Sequence, residues 1–211
     1  MARSLLSRMT RDGGRVSMTP VISSFSLERV VNAVESVRRR PVRATKALTA
    51  AEVPYAVVGG NAVAHWVSRV DQSAVRNTPD VGILIRREDL DRARRALEGA
   101  GFVYRHADGV DFFLDTPQRK VRDAVRLVMA NDNVLPDVPF PNPDVTESEE
   151  ADQFRVLALE ALVRMNLAAF RDRDRVHLRD LIGVRLINWT WTARLPPELA
   201  ERLQSLLDTA G

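Results

Sequence analysis

Apolar positions recur at helical spacing from Phe25 to about Leu48, where Leu27, Val30, Val31, Val34 and Val37 share one face and Ser24 or Ser26 stands ready to cap before Glu28. The period then changes. Tyr55 to Val58 is a compact β-rich run closed by Gly59-Gly60, and Asn61 to Val67 reads as a helix starting directly after the turn. Asp80 to Ile85 is a second apolar strand. Arg86 to Ala100 follows as a helix with Leu90, Ala93 and Leu97 on one face and Gly101 beyond its end. Phe102 to Arg105, Val110 to Leu114 and Ala124 to Met129 are three more strands, the first two joined by Asp108-Gly109 as a hairpin. Leu157 to Phe170, Val176 to Ile187 and Pro197 to Leu207 are helical by period, with Pro196-Pro197 at the start of the last.

Strands alternating with helices predict an α/β fold, a mixed sheet flanked by helices with a helical carboxyl-terminal segment. Between Asn131 and Gln153 there is no Lys or Arg, while four prolines and seven acids accumulate, which reads as an acidic connector with a boundary near Asp144. The expected division is a flexible tail over 1–24, with Met18 as a second possible start, an α/β core over 25–143 and helices over 144–211 packing on that core.

The 211 residues are 45% hydrophobic and 28% charged, which excludes a largely disordered or fibrous chain. Net charge is only +3. Lys46 and Lys120 are the only lysines, so the high isoelectric point of about 9.9 reflects arginine, which does not titrate, more than a large cationic excess. The absence of cysteine excludes disulfides and thiolate chemistry and is easiest to place in a reducing cytoplasm. No apolar run near the amino terminus is long enough for a secretory core or a membrane span. Arg38, Arg39, Arg40 and Arg43 gather around Pro41; they read as a solvated helix end, or as a patch through which a helical module would bind RNA or DNA.

Candidate chemistry lies in three short motifs, Gly59-Gly60-Asn61, Arg76-Asn77-Thr78-Pro79-Asp80-Val81-Gly82 and Gly109-Val110-Asp111. A glycine pair between a strand and a helix lets the backbone approach a phosphate while the first helical N–H groups point at it. Such turns are also common without a ligand. Residues 80 and 82 lie two apart and so face one side of a strand. His65, His106 and His177 show no metal-ligand spacing, and Trp66, Trp189 and Trp191 sit among apolar residues as packing groups.

From about Val53 to the carboxyl terminus, the order of elements and these motifs resembles the DNA polymerase β-like nucleotidyltransferase superfamily, in particular small bacterial enzymes related to toxins and antitoxins. The resemblance implies that Gly59, Gly60 and Asn61 hold a triphosphate, with Arg76, Thr78, Asn166 and Arg171 as further nucleotide contacts. It implies that Asp80 and Asp111 are the catalytic carboxylates and bind Mg²⁺ or Mn²⁺. Asp80 would serve both metals, and Asp111 the metal at the attacking oxygen or as a general base. Leu159 to Leu167, followed by the Arg/Asp cluster from Arg171 and by His177 to Leu181, resembles the segment that closes over the nucleotide.

Two departures stand out. Gly82 occupies the place of the second Asp, and Asn166 follows Met165 where a Lys is common. The implied function is metal-dependent transfer of NMP from an NTP to a hydroxyl on protein, RNA or a small molecule, weakened by Gly82. The alternative is a catalytically impaired nucleotide-binding or interaction module of the same fold.

Overall fold

Strand formation follows the β-branched runs and the sheet is built outward from them. A computed structural model describes residues 39–76, 78–116, 123–133 and 139–209; the expected tail, the first part of the expected first helix with Arg38, and Asn77 lie outside these. Helical residues 39–50 (α1) precede β1 (Tyr55–Val58), α2 (Gly60–Ser68), β2 (Val81–Ile85) and α3 (Leu90–Gly99). A single 3-10 turn, Arg87–Asp89, takes up the residues expected as the first turn of α3. Then come β3 (Val103–Ala107), β4 (Val110–Leu114) and β5 (Val125–Met129), followed by β6 (Ser148–Glu150), β7 (Arg155–Leu157), α4 (Leu159–Ala169), α5 (Asp172–Gly183) and α6 (Pro197–Asp208).

The seven strands form one mixed sheet in the order β3-β4-β5-β2-β1-β7-β6. β1 runs antiparallel to β2, β2 parallel to β5, β5 antiparallel to β4, and β7 parallel to β1. The expected α/β class with a mixed sheet is what forms. Asp108 and Gly109 both take positive φ, 50° and 73°, which is the twist-matched hairpin turn that the Asp-Gly pair predicts.

The carboxyl-terminal third differs from expectation. The acidic stretch contains β6, and Leu157, expected to open a helix, is the last residue of β7, so the chain returns to the same sheet before its helices begin. Glu35 to Gly211 is one compact unit, and the sheet runs on past the expected boundary near Asp144. Asp144 is a tie rather than a hinge. Its carboxylate accepts two hydrogen bonds from Arg86, at 3.1 and 2.9 Å, and one each from Thr146 N–H, Thr146 Oγ1 and Asn131 Nδ2. Those donors hold it far below the usual carboxylate range.

Alternation divides the sheet into two faces. Tyr55, Val57, Val81, Ile83, Ile85, Phe113, Val125 and Leu127 pack with Ala44 and Leu48 of α1 and with Ala93 and Leu97 of α3. The opposite face carries Ala56, Val58 and Leu84 against α2, α4, α5 and α6. Trp66 and Trp191 are buried there as packing residues, whereas Trp189 is half exposed. Arg40 is almost fully buried and donates to Asp115 at 2.6 Å and to the Pro79 carbonyl; Arg43 also pairs with Asp115 and lies over the Phe102 ring. The arginines at 40 and 43 thus tie α1 to the sheet, Arg40 from a buried position and Arg43 with much of its side chain exposed.

Candidate phosphate site at the glycine turn

β1 delivers the chain to Gly59, whose φ of 65° and ψ of −147° fall in a region that side chains exclude. α2 starts at the next residue with no side-chain cap, and a helix start leaves its first N–H groups without intrahelical partners. A Cβ on Gly60 would lie 2.7 Å from Thr78 Cγ2, so the loop before β2 rests directly against the turn. Thr78 Oγ1 donates to Asp80 Oδ1 at 2.6 Å, and Asn61 Nδ2 donates to the Asp80 carbonyl at 2.7 Å. Asp80 is therefore fixed from both sides. Arg76 reaches Asp180 of α5 at 3.5 Å and is itself largely exposed. Between α2, this loop and α5 lies a cleft of about 170 Å³, walled by Gly60, Val63, Val67, Thr78, Val176 and His177.

Strand pairing decides which side chains join Asp80. Val58 pairs with Gly82, Gly82 with Arg126, and Arg126 with Phe112, so these four lie in one row across the sheet and share a face. Asp80 stands two residues before Gly82 on that side. It lies within electrostatic reach of Arg173 and His177 on α5, and Arg126 also acts on Arg173. Burial lowers the pKa of the Arg173 guanidinium from its ordinary value, and the charges of Arg171 and Arg126 lower it further.

Asp111 does not join this group. One residue from Phe112, it points to the opposite face of the sheet. It also lies two strands away and three residues farther along, roughly 14 Å from Asp80 at ordinary strand spacings. There it accepts hydrogen bonds from Tyr104 Oη at 2.7 Å and from His106 Nδ1 at 2.8 Å. Burial raises its pKa, but these two bonds together with the charges of His106 and Arg87 outweigh burial and hold the carboxyl below its usual range. The expectation that Asp80 and Asp111 share metal ions is corrected by this register.

Asn166 and Arg171 are also committed elsewhere. Asn166 is buried and donates from Nδ2 to the Leu162 carbonyl at 2.7 Å, which turns its Oδ1 toward His177 Nδ1 at 3.2 Å. His177 accordingly carries its proton on Nδ1 and presents the Nε2 lone pair. Arg171 caps α5, its backbone N–H and Nε both donating to Asp174, at 3.0 and 2.7 Å. Of the residues grouped with Asp80, Arg173 and His177 lie in the segment that the resemblance places over the nucleotide, although the sequence assigns His177 no chemistry, and Arg126 is the one that the sequence did not single out. A lone Arg in the apolar run Val125-Arg126-Leu127-Val128-Met129 was the available signal for it.

A divalent ion does not fit this donor set. Mg²⁺ and Mn²⁺ demand several oxygen ligands, and here Asp80 is followed on its own strand by Gly82, which pairs across the sheet with Arg126. Among the described residues no three His, Asp or Glu side chains are grouped to hold a metal ion. The glycine at 82 has a packing reason: a Cβ there would meet Val58 Cγ2 at 3.0 Å and the Val58 carbonyl at 3.3 Å.

Burial lowers the pKa of both His177 and His65, so each is favoured neutral in the folded state. The unfolded chain then binds protons first, and stability is expected to fall as pH drops below about 6.5, toward the lower folded pKa. Urea unfolding at pH 7.5 and 5.5 measures it, with a slope of at most about 1.4 kcal/mol per pH unit for each proton. His177→Gln is expected to flatten that slope; an unchanged slope would remove His177 from the account.

The sequence matches no protein-family model and no curated protein. Similar solved structures include the antibiotic-resistance factor ANT(2'')-Ia, at 13% identity and a TM-score of 0.41, with 87% of this chain and 85% of that one covered. A Helicobacter pylori protein assigned to the nucleotidyltransferases gives 15% identity and a TM-score of 0.44, covering 87% and 93%. JHP933 from the same organism gives 15% and 0.43, covering 87% and 92%. At those identities and TM-scores the likeness leaves the chemistry of the site to the residues present in this chain.

Proposed function

We propose that the protein binds a nucleotide at the glycine turn and does not carry out two-metal NMP transfer. It is the impaired, nucleotide-binding form of a nucleotidyltransferase-like chain. The observation that carries this reading is the row Val58-Gly82-Arg126-Phe112, which sets a glycine and a cation beside Asp80 where transfer needs carboxylates. The retained parts are those of recognition. The Gly59-Gly60 turn admits close backbone approach and offers N–H donors, and the adjoining cleft presents Val63, Val67 and Val176 as an apolar wall beside it. Among the described residues no helix is long and apolar enough to cross a membrane.

Titration of a fluorescent NTP analogue is expected to saturate, and Gly60→Ala to weaken binding at least tenfold by driving a methyl group into Thr78. Incubation of the protein with labelled NTPs, Mg²⁺ or Mn²⁺ and a cell lysate as acceptor pool is expected to label nothing. Labelling that disappears in Asp80→Ala would instead establish NMP transfer to a protein, RNA or small-molecule hydroxyl with the incomplete carboxylate set.

A further inference from the structure

Arg126 is the site's least explained residue. It sits mid-sheet in β5, half-buried, with strands on both sides of it in the order β4-β5-β2. Half-buried Arg86 and Arg164 are paired with Asp144 and Glu147, and the deeper Arg40 with Asp115. Arg126 makes no hydrogen bond or ion pair among the described residues, and Asp80, the carboxylate on its face, accepts from Thr78 instead. Desolvating a guanidinium without a partner is costly unless a ligand supplies the counter-charge.

A second cation acts on the same group of charges. Arg173 of α5 is about half exposed, feels the charges of Arg126 and Asp80, and lies 3.8 Å from Asp174 Oδ1, while Asp174 Oδ2 holds the Arg171 cap. The α2 amino terminus at Gly60 supplies N–H donors at the same end of the sheet, since Gly59 follows Val58, the row partner of Gly82 and Arg126. The guanidinium fork matches phosphate oxygens bidentately, in a way that no single carboxylate-bound metal reproduces.

We infer that Arg126, with Arg173, holds the polyphosphate of the ligand directly and takes the place of divalent metal at this site. The inference rests on the nucleotide reading for the nucleoside part only; the arginines recognise a polyphosphate whatever it carries. The sign of one substitution separates this site from a metal site. Where a metal bridges Asp80 to phosphate, removing the carboxylate weakens binding. Where arginines bind phosphate directly, Asp80 is a nearby like charge to the ligand, and its removal strengthens binding.

The test is equilibrium binding of an NTP and of inorganic tripolyphosphate to the full chain, each in EDTA and in Mg²⁺. Affinity in EDTA is expected to match that in Mg²⁺ within about threefold and to fall steeply with salt. Arg126→Gln and Arg173→Gln are each expected to weaken both ligands at least tenfold, Arg126→Lys less, and Asp80→Asn to tighten both about threefold. Thermal melts followed by circular dichroism confirm folding, and Arg173→Gln, on the exposed side of a helix, keeps the test informative if a strand variant unfolds. Binding that requires Mg²⁺, weakens in Asp80→Asn or ignores both arginines overturns the inference, as does failure of both ligands to bind. Tripolyphosphate binding without NTP binding would leave the arginine site standing and remove the nucleotide reading.

Discussion

Phe113→Ala is expected to lower the free energy of unfolding by about 3–5 kcal/mol, the range for truncating a fully buried aromatic residue whose surroundings relax only partly. Phe113 is fully buried on the sheet face that packs against α1 and α3, and the Tyr104 ring meets it at 5.4 Å between centroids. Phe112 lies on the other face, in a small cluster with Leu114 and Ala124, and retains some exposure. Phe112→Ala is therefore expected to cost less. Urea denaturation of the two variants, with equal m-values, reads the difference. The comparison also reports the register of β4: a larger loss at Phe112 would mean that the strand is turned over, with Asp111 on the side of Gly82.

That dependence on register explains why the face of Asp111 was not legible in the sequence. Val110-Asp111-Phe112-Phe113-Leu114 has three apolar residues in succession after the aspartate, so alternation cannot say which of them faces which layer. Pairing with β5 supplies the answer, and pairing is a long-range property. The strand, glycine turn and helix from Tyr55 to Ser68 were legible because each part is a local preference: β-branched residues before, a backbone conformation reserved for glycine at 59, an apolar helix face after. The Asp-Gly hairpin was legible for the same reason.

β6 and β7 were hidden by composition. Ser148-Glu149-Glu150 carries no apolar residue, and Arg155-Val156-Leu157 is only three residues long. Their place in the sheet comes from the parallel pairing of Val57 with Val156 and from the burial of Val156 and Leu157 against α2 and α4. Neither is written in a local window. Asn166 illustrates the same limit within the site: its place after Met165, where the resemblance puts a Lys, implied a phosphate contact, whereas burial and the neighbouring carbonyl of Leu162 turn it to His177.

The row of residues that denies the site a metal also specifies how to give it one. In a Val58→Ala, Gly82→Asp, Arg126→Asp variant, the new carboxylates would stand on paired positions of adjacent strands, with Asp80 two residues from one of them. Val58→Ala is needed because a Cβ at residue 82 meets Val58 Cγ2 at 3.0 Å, and overpacking at a buried site costs about 1–3 kcal/mol. Without metal, three like charges are expected to lower the melting temperature and abolish NTP binding, since the arginine that received the phosphates is gone. Mn²⁺ is then expected to restore stability by about 3 kcal/mol at a hundredfold excess over its dissociation constant, and to restore NTP binding with it. Titration of Mn²⁺ by electron paramagnetic resonance, with the unaltered protein alongside, measures the new site. Equal Mn²⁺ binding by the two proteins would mean that Asp80 already recruits metal with other ligands, and that Arg126 does not replace the ion.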